Sequence, residues 1–87
     1  MARFIAVLSM PYNEEQIIAT ARNMPDQIPP DVSWNLTYCA FDDNKFFCEW
    51  EAPNKDAVEQ VFKSTQLPYD AVYQVRLLNI DTVEFRE

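Results

Sequence analysis

The chain contains no glycine and no histidine, and each absence closes off chemistry. Average usage of about 7% would place roughly six glycines in a chain of this size. Phosphate-cradling loops and dinucleotide-binding turns need residues without a Cβ at fixed spacings, so neither can be built here. Left-handed backbone positions fall to asparagine, the next best residue for them. Without imidazole there is no base poised near neutral pH, no Ser-His or Cys-His nucleophile pair, and none of the commonest nitrogen ligands for zinc, nickel or haem. Basic residues are also scarce: seven lysines and arginines face fourteen acids, for a formal charge of −7, and they are scattered along the chain. Phosphate backbones and anionic membrane surfaces would be repelled, so neither nucleic acid nor lipid is an expected partner. The apolar run Phe4 to Leu8 is too short for a signal-peptide core or a membrane span, and no later run is longer, which makes a cytoplasmic protein the expectation.

What is present reads as one globular domain over residues 1–87. With 48% apolar and 14% aromatic residues there is material for a core without metal or disulfide staples. Arg3 to Met10 is apolar on both alternations, Phe4, Ala6 and Leu8 against Ile5 and Val7, as in a central strand. After Pro11, Asn13 can cap a helix and Gln16 can complete a capping box, with Ile17, Ile18, Ala21 and Met24 as the buried stripe. Pro25, Pro29 and Pro30 form the exit loop.

From Val32 to Phe41 the alternation places Trp34, Leu36, Tyr38 and Ala40 on one side and Ser33, Asn35, Thr37 and Cys39 on the other, the pattern of a half-buried edge strand. Lys45 to Ala52 returns as its hairpin partner. Matching apolar faces pairs Ala40 with Phe46, Tyr38 with Cys48 and Leu36 with Trp50, leaving a three-residue loop with Asn44 left-handed. Asn54 caps a second helix with Ala57, Val58, Val61, Phe62 and Thr65 inward, and a last strand follows from about Ala71 to Ile80, with Asp81 to Glu87 as a tail free to fray. The order βαββαβ predicts an α+β, ferredoxin-like domain: a four-stranded antiparallel sheet of order 4-1-3-2 with both helices on one face.

This register puts Cys48 under the helices and Cys39 on the opposite face, so that the two thiols cannot form a relaxed disulfide. Two ordinary reduced cysteines is the plain reading; a metal or redox role for Cys39 is the alternative. The uncovered face then carries Ile5, Val7, Cys39, Phe41, Phe47, Glu49 and Glu51. Burying four such apolar side chains in each of two copies would gain about 12–24 kcal/mol against association costs of about 4–15 kcal/mol, which makes a homodimer through this face the expected assembly. Glu49, Glu51 and Arg76 could share that face as a polar pocket, or stand as solvated charges with Arg76 pairing to one of them. Tyr38, Trp34 and Trp50 have the spacing of core packing, and no spacing resembles a calcium loop or a zinc cluster.

The stretch from Trp34 to Arg76 resembles the small ferredoxin-like family typified by a nickel-responsive, nickel-binding bacterial protein, most of whose members have no assigned function. The matching residues are Trp34, Tyr38, Asp43 and Lys45 of an Asp-Lys turn, Cys48, Ala52-Pro53-Asn54, Pro68 and Val75-Arg76. The resemblance implies a ferredoxin-like fold and a sheet-face dimer. It departs where the family carries a His-Ala pair late in the second helix, because Val61 and Phe62 stand there, so nickel binding does not carry over. The resulting expectation is a non-catalytic dimeric module, with no cofactor, that holds a small ligand or partner at Cys39, Phe47, Glu49 and Arg76. The alternative is a cofactor-free isomerase or monooxygenase of the dimeric α/β-barrel type using Glu, Arg and Tyr between the sheets.

Overall fold

The computed structural model describes residues 1–86. Its elements are β1 (Ala2–Ser9), α1 (Glu14–Asn23), β2 (Ser33–Ala40), β3 (Lys45–Ala52), α2 (Lys55–Thr65), β4 (Ala71–Val75), β5 (Leu77–Asn79) and β6 (Glu84–Arg86). The first four strands in space run β2-β3-β1-β4, which from the other edge reads 4-1-3-2, and every pairing is antiparallel. β5 and β6 form a separate two-stranded sheet where the sequence suggested one long strand and a fraying tail.

Both helices start as their caps dictate. The Asn13 side chain accepts from the Gln16 backbone and the Gln16 side chain accepts from the Asn13 N–H, a complete capping box. Asn54 accepts from the Ala57 N–H in the same way for α2. Among the described residues three hold left-handed backbone: Asn44 as expected, and also Gln66 at the end of α2 and Val83 in the turn between β5 and β6. Asparagine is therefore not the sole substitute for glycine here.

The core lies between one sheet face and α2. Phe4, Ala6 and Leu8 of β1, Phe46, Cys48, Trp50 and Ala52 of β3, and Val58, Val61 and Phe62 of α2 are all buried. Trp50 is its centre. It stacks on Trp34 with ring centroids 5.6 Å apart and receives Phe62 edge-on at 5.4 Å. By contrast α1 fully buries no residue: Ile17 packs half-buried against the core, Ile18 and Ala21 line an open cleft, and Met24, just past its end, is buried.

The hairpin register differs from the expected one by a single residue. Ala40 pairs with Lys45, Tyr38 with Phe47, Thr37 with Cys48 and Leu36 with Glu49, before a bulge at Asn35 resets Trp34 opposite Trp50. The turn has four residues, a short 3-10 turn at Phe41–Asp43 followed by left-handed Asn44. Because side chains alternate with period two, the slip moves Leu36 and Tyr38 to the open face and Thr37 and Cys39 to the helix side. The bulge then returns Trp34 to the core.

Truncation of Trp50 to alanine removes the centre of the aromatic stack, and a loss of about 3–5 kcal/mol in unfolding free energy is expected by urea denaturation. A loss below about 1 kcal/mol would show that the stack does not organise the core.

Candidate functional site

Two surfaces could carry function. The first is the sheet face opposite the helices, which no element among the described residues covers. Strand pairing arranges its side chains in rows across the strands. One row is Ser33, Glu51, Arg3 and Val75; the next is Leu36, Glu49, Ile5 and Tyr73; the third is Tyr38, Phe47, Val7 and Ala71. Ala40, Lys45 and Ser9 form the last row. Leu36, Tyr38, Phe47 and Tyr73 are exposed, so the middle of the face is an apolar surface between polar ends.

At one end Arg3 Nη1 lies 2.6 Å from Glu49 Oε1, and both side chains are half-buried. The Asn35 side-chain amide donates to Glu49 Oε2 at 3.3 Å and to Glu51 Oε1 at 3.0 Å. The bulge that displaces Asn35 thus ties the two glutamates together. At the other end Lys45 Nζ donates to Ser9 Oγ at 2.6 Å and lies 3.4 Å from Asp70 Oδ2, while the Ser9 hydroxyl donates to the same carboxylate. The Ser9 hydrogen bond and then the Lys45 ammonium hold the Asp70 carboxyl below its ordinary range, against partial desolvation.

The sequence-predicted site residues are only partly brought together. Phe47 and Glu49 share the open face, as expected. Cys39 does not. The one-residue slip places it on the helix side, opposite Phe46 and diagonal to Cys48, with its thiol exposed because α1 stands off the sheet. Phe41 also leaves the open face, since it belongs to the turn and meets Phe46 edge-on with centroids 5.8 Å apart. Arg76 falls at the break between β4 and β5, where its guanidinium lies 4.6 Å from the centre of the Phe85 ring rather than beside the glutamates. Arg3 takes the role expected of it. Tyr38, expected in the core, is 67% exposed on the open face. Arg3 and Tyr73 were open to discovery from sequence, since Arg3 lies on the same alternation as Ile5 and Val7.

The second surface is a cleft of about 870 Å³ between α1, the connector after it and edge strand β2. Ile17, Ile18, Ala21, Pro29, Trp34 and Cys39 are among its lining residues, and no charged side chain is among them. The Trp34 indole N–H donates to the Thr37 hydroxyl at 2.8 Å, which satisfies its one polar atom at the cleft floor. The Trp50 indole N–H beneath it is buried and has no hydrogen-bond partner among the described residues.

The sequence matches the family described as nickel responsive protein SCO4226-like over residues 10–75. The chain belongs to that family. The crystal structure of SCO4226 from Streptomyces coelicolor A3(2) superimposes with a TM-score of 0.73 at 18% identity, covering 87% of this chain and 98% of that one. At that identity the likeness establishes the fold. No curated protein matches the sequence. The residues present do not suit a nickel site of the kind the family name suggests. Val61 and Phe62, where the resemblance would place histidine, are buried in the core, and among the described residues no three His, Cys, Asp or Glu side chains form a group able to hold a metal. No helix among the described residues is long and apolar enough to cross a membrane.

The two thiols should behave differently. Burial pushes the Cys48 thiol up to about 11 from its ordinary 9.0, with proximity to Cys39 adding and the Thr37 hydroxyl opposing. Burial also raises Cys39, which stays accessible. A disulfide-exchange reagent at pH 8 should titrate one thiol in the native protein and the second only after unfolding; two equally fast thiols would contradict the packing. Since the folded pKa of Cys48 lies above the unfolded one, its contribution to stability is complete below about pH 9 and falls away as pH rises toward 11.

Proposed function

We propose that this protein is a non-catalytic module that pairs with a second copy through its open sheet face and holds a small polar ligand beside Arg3, Glu49 and Glu51. The observation that carries the reading is the composition of that face: an apolar centre of Ile5, Val7, Phe47, Leu36, Tyr38 and Tyr73 with a charged group at each end. Contiguous exposed apolar surface of this kind marks an interaction site.

Two two-fold axes would bring the open faces of two copies together. A two-fold axis parallel to the strands, between β1 and β3, sets each row against the same row of the partner in reverse strand order. Glu51 then faces the partner's Arg3, Phe47 faces the partner's Val7 and Leu36 faces the partner's Tyr73. An axis across the strands would instead set Phe47 over the partner's Glu49 and Glu51 over the partner's Lys45. Either axis sets Glu51 against a cation of the partner and most of the apolar centre against apolar side chains, with Glu49 placed over the partner's Ile5 or the partner's Phe47. Arg3, Glu49, Glu51 and Asn35 then line the rim of the space between the sheets, where charges of both signs suit a small molecule carrying both a hydrogen-bond donor and an anionic or carbonyl group.

Phe47→Asp tests the reading, because it places a carboxylate in the apolar centre without touching the core. Light scattering should give a dimer mass for the wild type at tens of micromolar and a monomer mass for the variant, with circular dichroism unchanged. A wild-type monomer, or a variant dimer of undiminished affinity, would overturn it.

A further inference from the structure

The interior holds a second, smaller cavity, distinct from the open sheet face and from the cleft. It measures about 10 Å³, room for one particle of the size of a water or a small ion. Met10, Met24 and Cys48 line it together with Trp34, Trp50 and Phe62. The three sulfur-bearing residues are all buried, and they come from separate parts of the chain: Met10 follows β1, Met24 follows α1 and Cys48 lies in the middle of β3. Of the two other sulfur atoms in the sequence, one belongs to exposed Met1 and one to Cys39, diagonal to Cys48 on the same side of the sheet.

Methionine in a core ordinarily fills irregular gaps, yet here a gap stays open beside two flexible thioethers and a thiol. Water suits it poorly, because a buried water needs about two to four hydrogen-bond partners. No charged side chain among the described residues lines the cavity, and the Thr20 hydroxyl at its wall donates to the Gln16 carbonyl at 3.0 Å. Thiolate and thioether sulfur together select soft ions, copper(I) first among them. Charge narrows the choice further. One Cys48 thiolate neutralises a monovalent ion, whereas a divalent ion would leave an uncompensated positive charge in an apolar interior.

The cavity also has a way in. Ile17 and Trp34 line both it and the large cleft, and Cys39 lines the cleft. Cys39 therefore stands outside the shared wall and Cys48 inside it.

We infer that Cys48, Met10 and Met24 form a buried site for a single copper(I) ion, loaded from the α1–β2 cleft past Cys39. On binding, the Cys48 S–H bond breaks, a sulfur–copper bond forms and the proton leaves to solvent; no electron is transferred. Thioether sulfur lies outside the His, Cys, Asp and Glu set from which a nickel site was sought, so the two findings agree. The site is independent of the open sheet face and of any dimer built on it.

Anaerobic titration of the full chain with the copper(I) complex of bicinchoninate tests it. The wild type should withdraw one equivalent of copper from the chelator and lose tryptophan emission, since Trp34 and Trp50 line the cavity. The paired substitution Met10→Leu and Met24→Leu conserves apolar volume and should weaken copper binding by about tenfold or more with circular dichroism unchanged. Cys48→Ser should abolish binding, and Cys39→Ser should slow uptake while leaving the equilibrium affinity unchanged. Copper that stays on the chelator with the wild type overturns the site. So does binding that the leucine pair leaves unaltered, or that Cys39→Ser removes, because the ion would then rest on the exposed thiol alone.

Discussion

The register between β2 and β3 decides the composition of both surfaces on which function could rest. It is fixed by two local devices: a four-residue turn closed by left-handed Asn44, and the bulge at Asn35. The turn sets the pairing from Ala40 back to Leu36, and this turns Tyr38 and Leu36 toward the open face. The bulge then shifts the phase so that Trp34 can still stack on Trp50 in the core. A plain hairpin could satisfy one of these demands but not both, because a strand without a bulge keeps strict alternation.

From that register follow an overfilled open face and an underfilled helix side. Tyr38 and Leu36 enlarge the apolar centre around Phe47, while Thr37 and Cys39, both small, are left under α1. A helix needs bulky partners below it to pack closely. Over β3, α2 finds Trp50 and Phe46 and buries three residues; over β2, α1 finds little and buries none. The cleft and the interaction face are thus two results of the same phase shift. The acids of the open face stand beside Arg3 and Lys45, which partly offset the −7 charge of the chain there.

Much of the fold was legible in the sequence because strong local signals agreed with one another. Asn13 with Gln16, and Asn54 as a cap, marked the helix starts, and the two-sided apolar run of β1 marked a central strand. The candidate site was less legible. The pattern from Trp34 to Ala40 alternates in a way that looks wholly consistent with Tyr38 inside, and a bulge leaves no mark on composition that would betray it. The phase error carried Cys39 and Phe41 to the wrong face. Arg76 was misplaced for a different reason: the break after Val75 that ends β4 has no proline or glycine to announce it. Phe47 and Glu49 lie on the face expected of them because β3 is regular from end to end.

The fold and the family membership give this chain a scaffold whose core includes Val61 and Phe62. The central claim is that the open face is a surface made to be covered. Hydroxyl-radical footprinting at two protein concentrations measures this residue by residue. Tyr38, Phe47 and Tyr73 should become protected at high concentration, while Tyr12, away from the face, keeps its reactivity. Equal oxidation of Tyr38, Phe47 and Tyr73 at both concentrations, at the rates their exposure in the single chain implies, would contradict it.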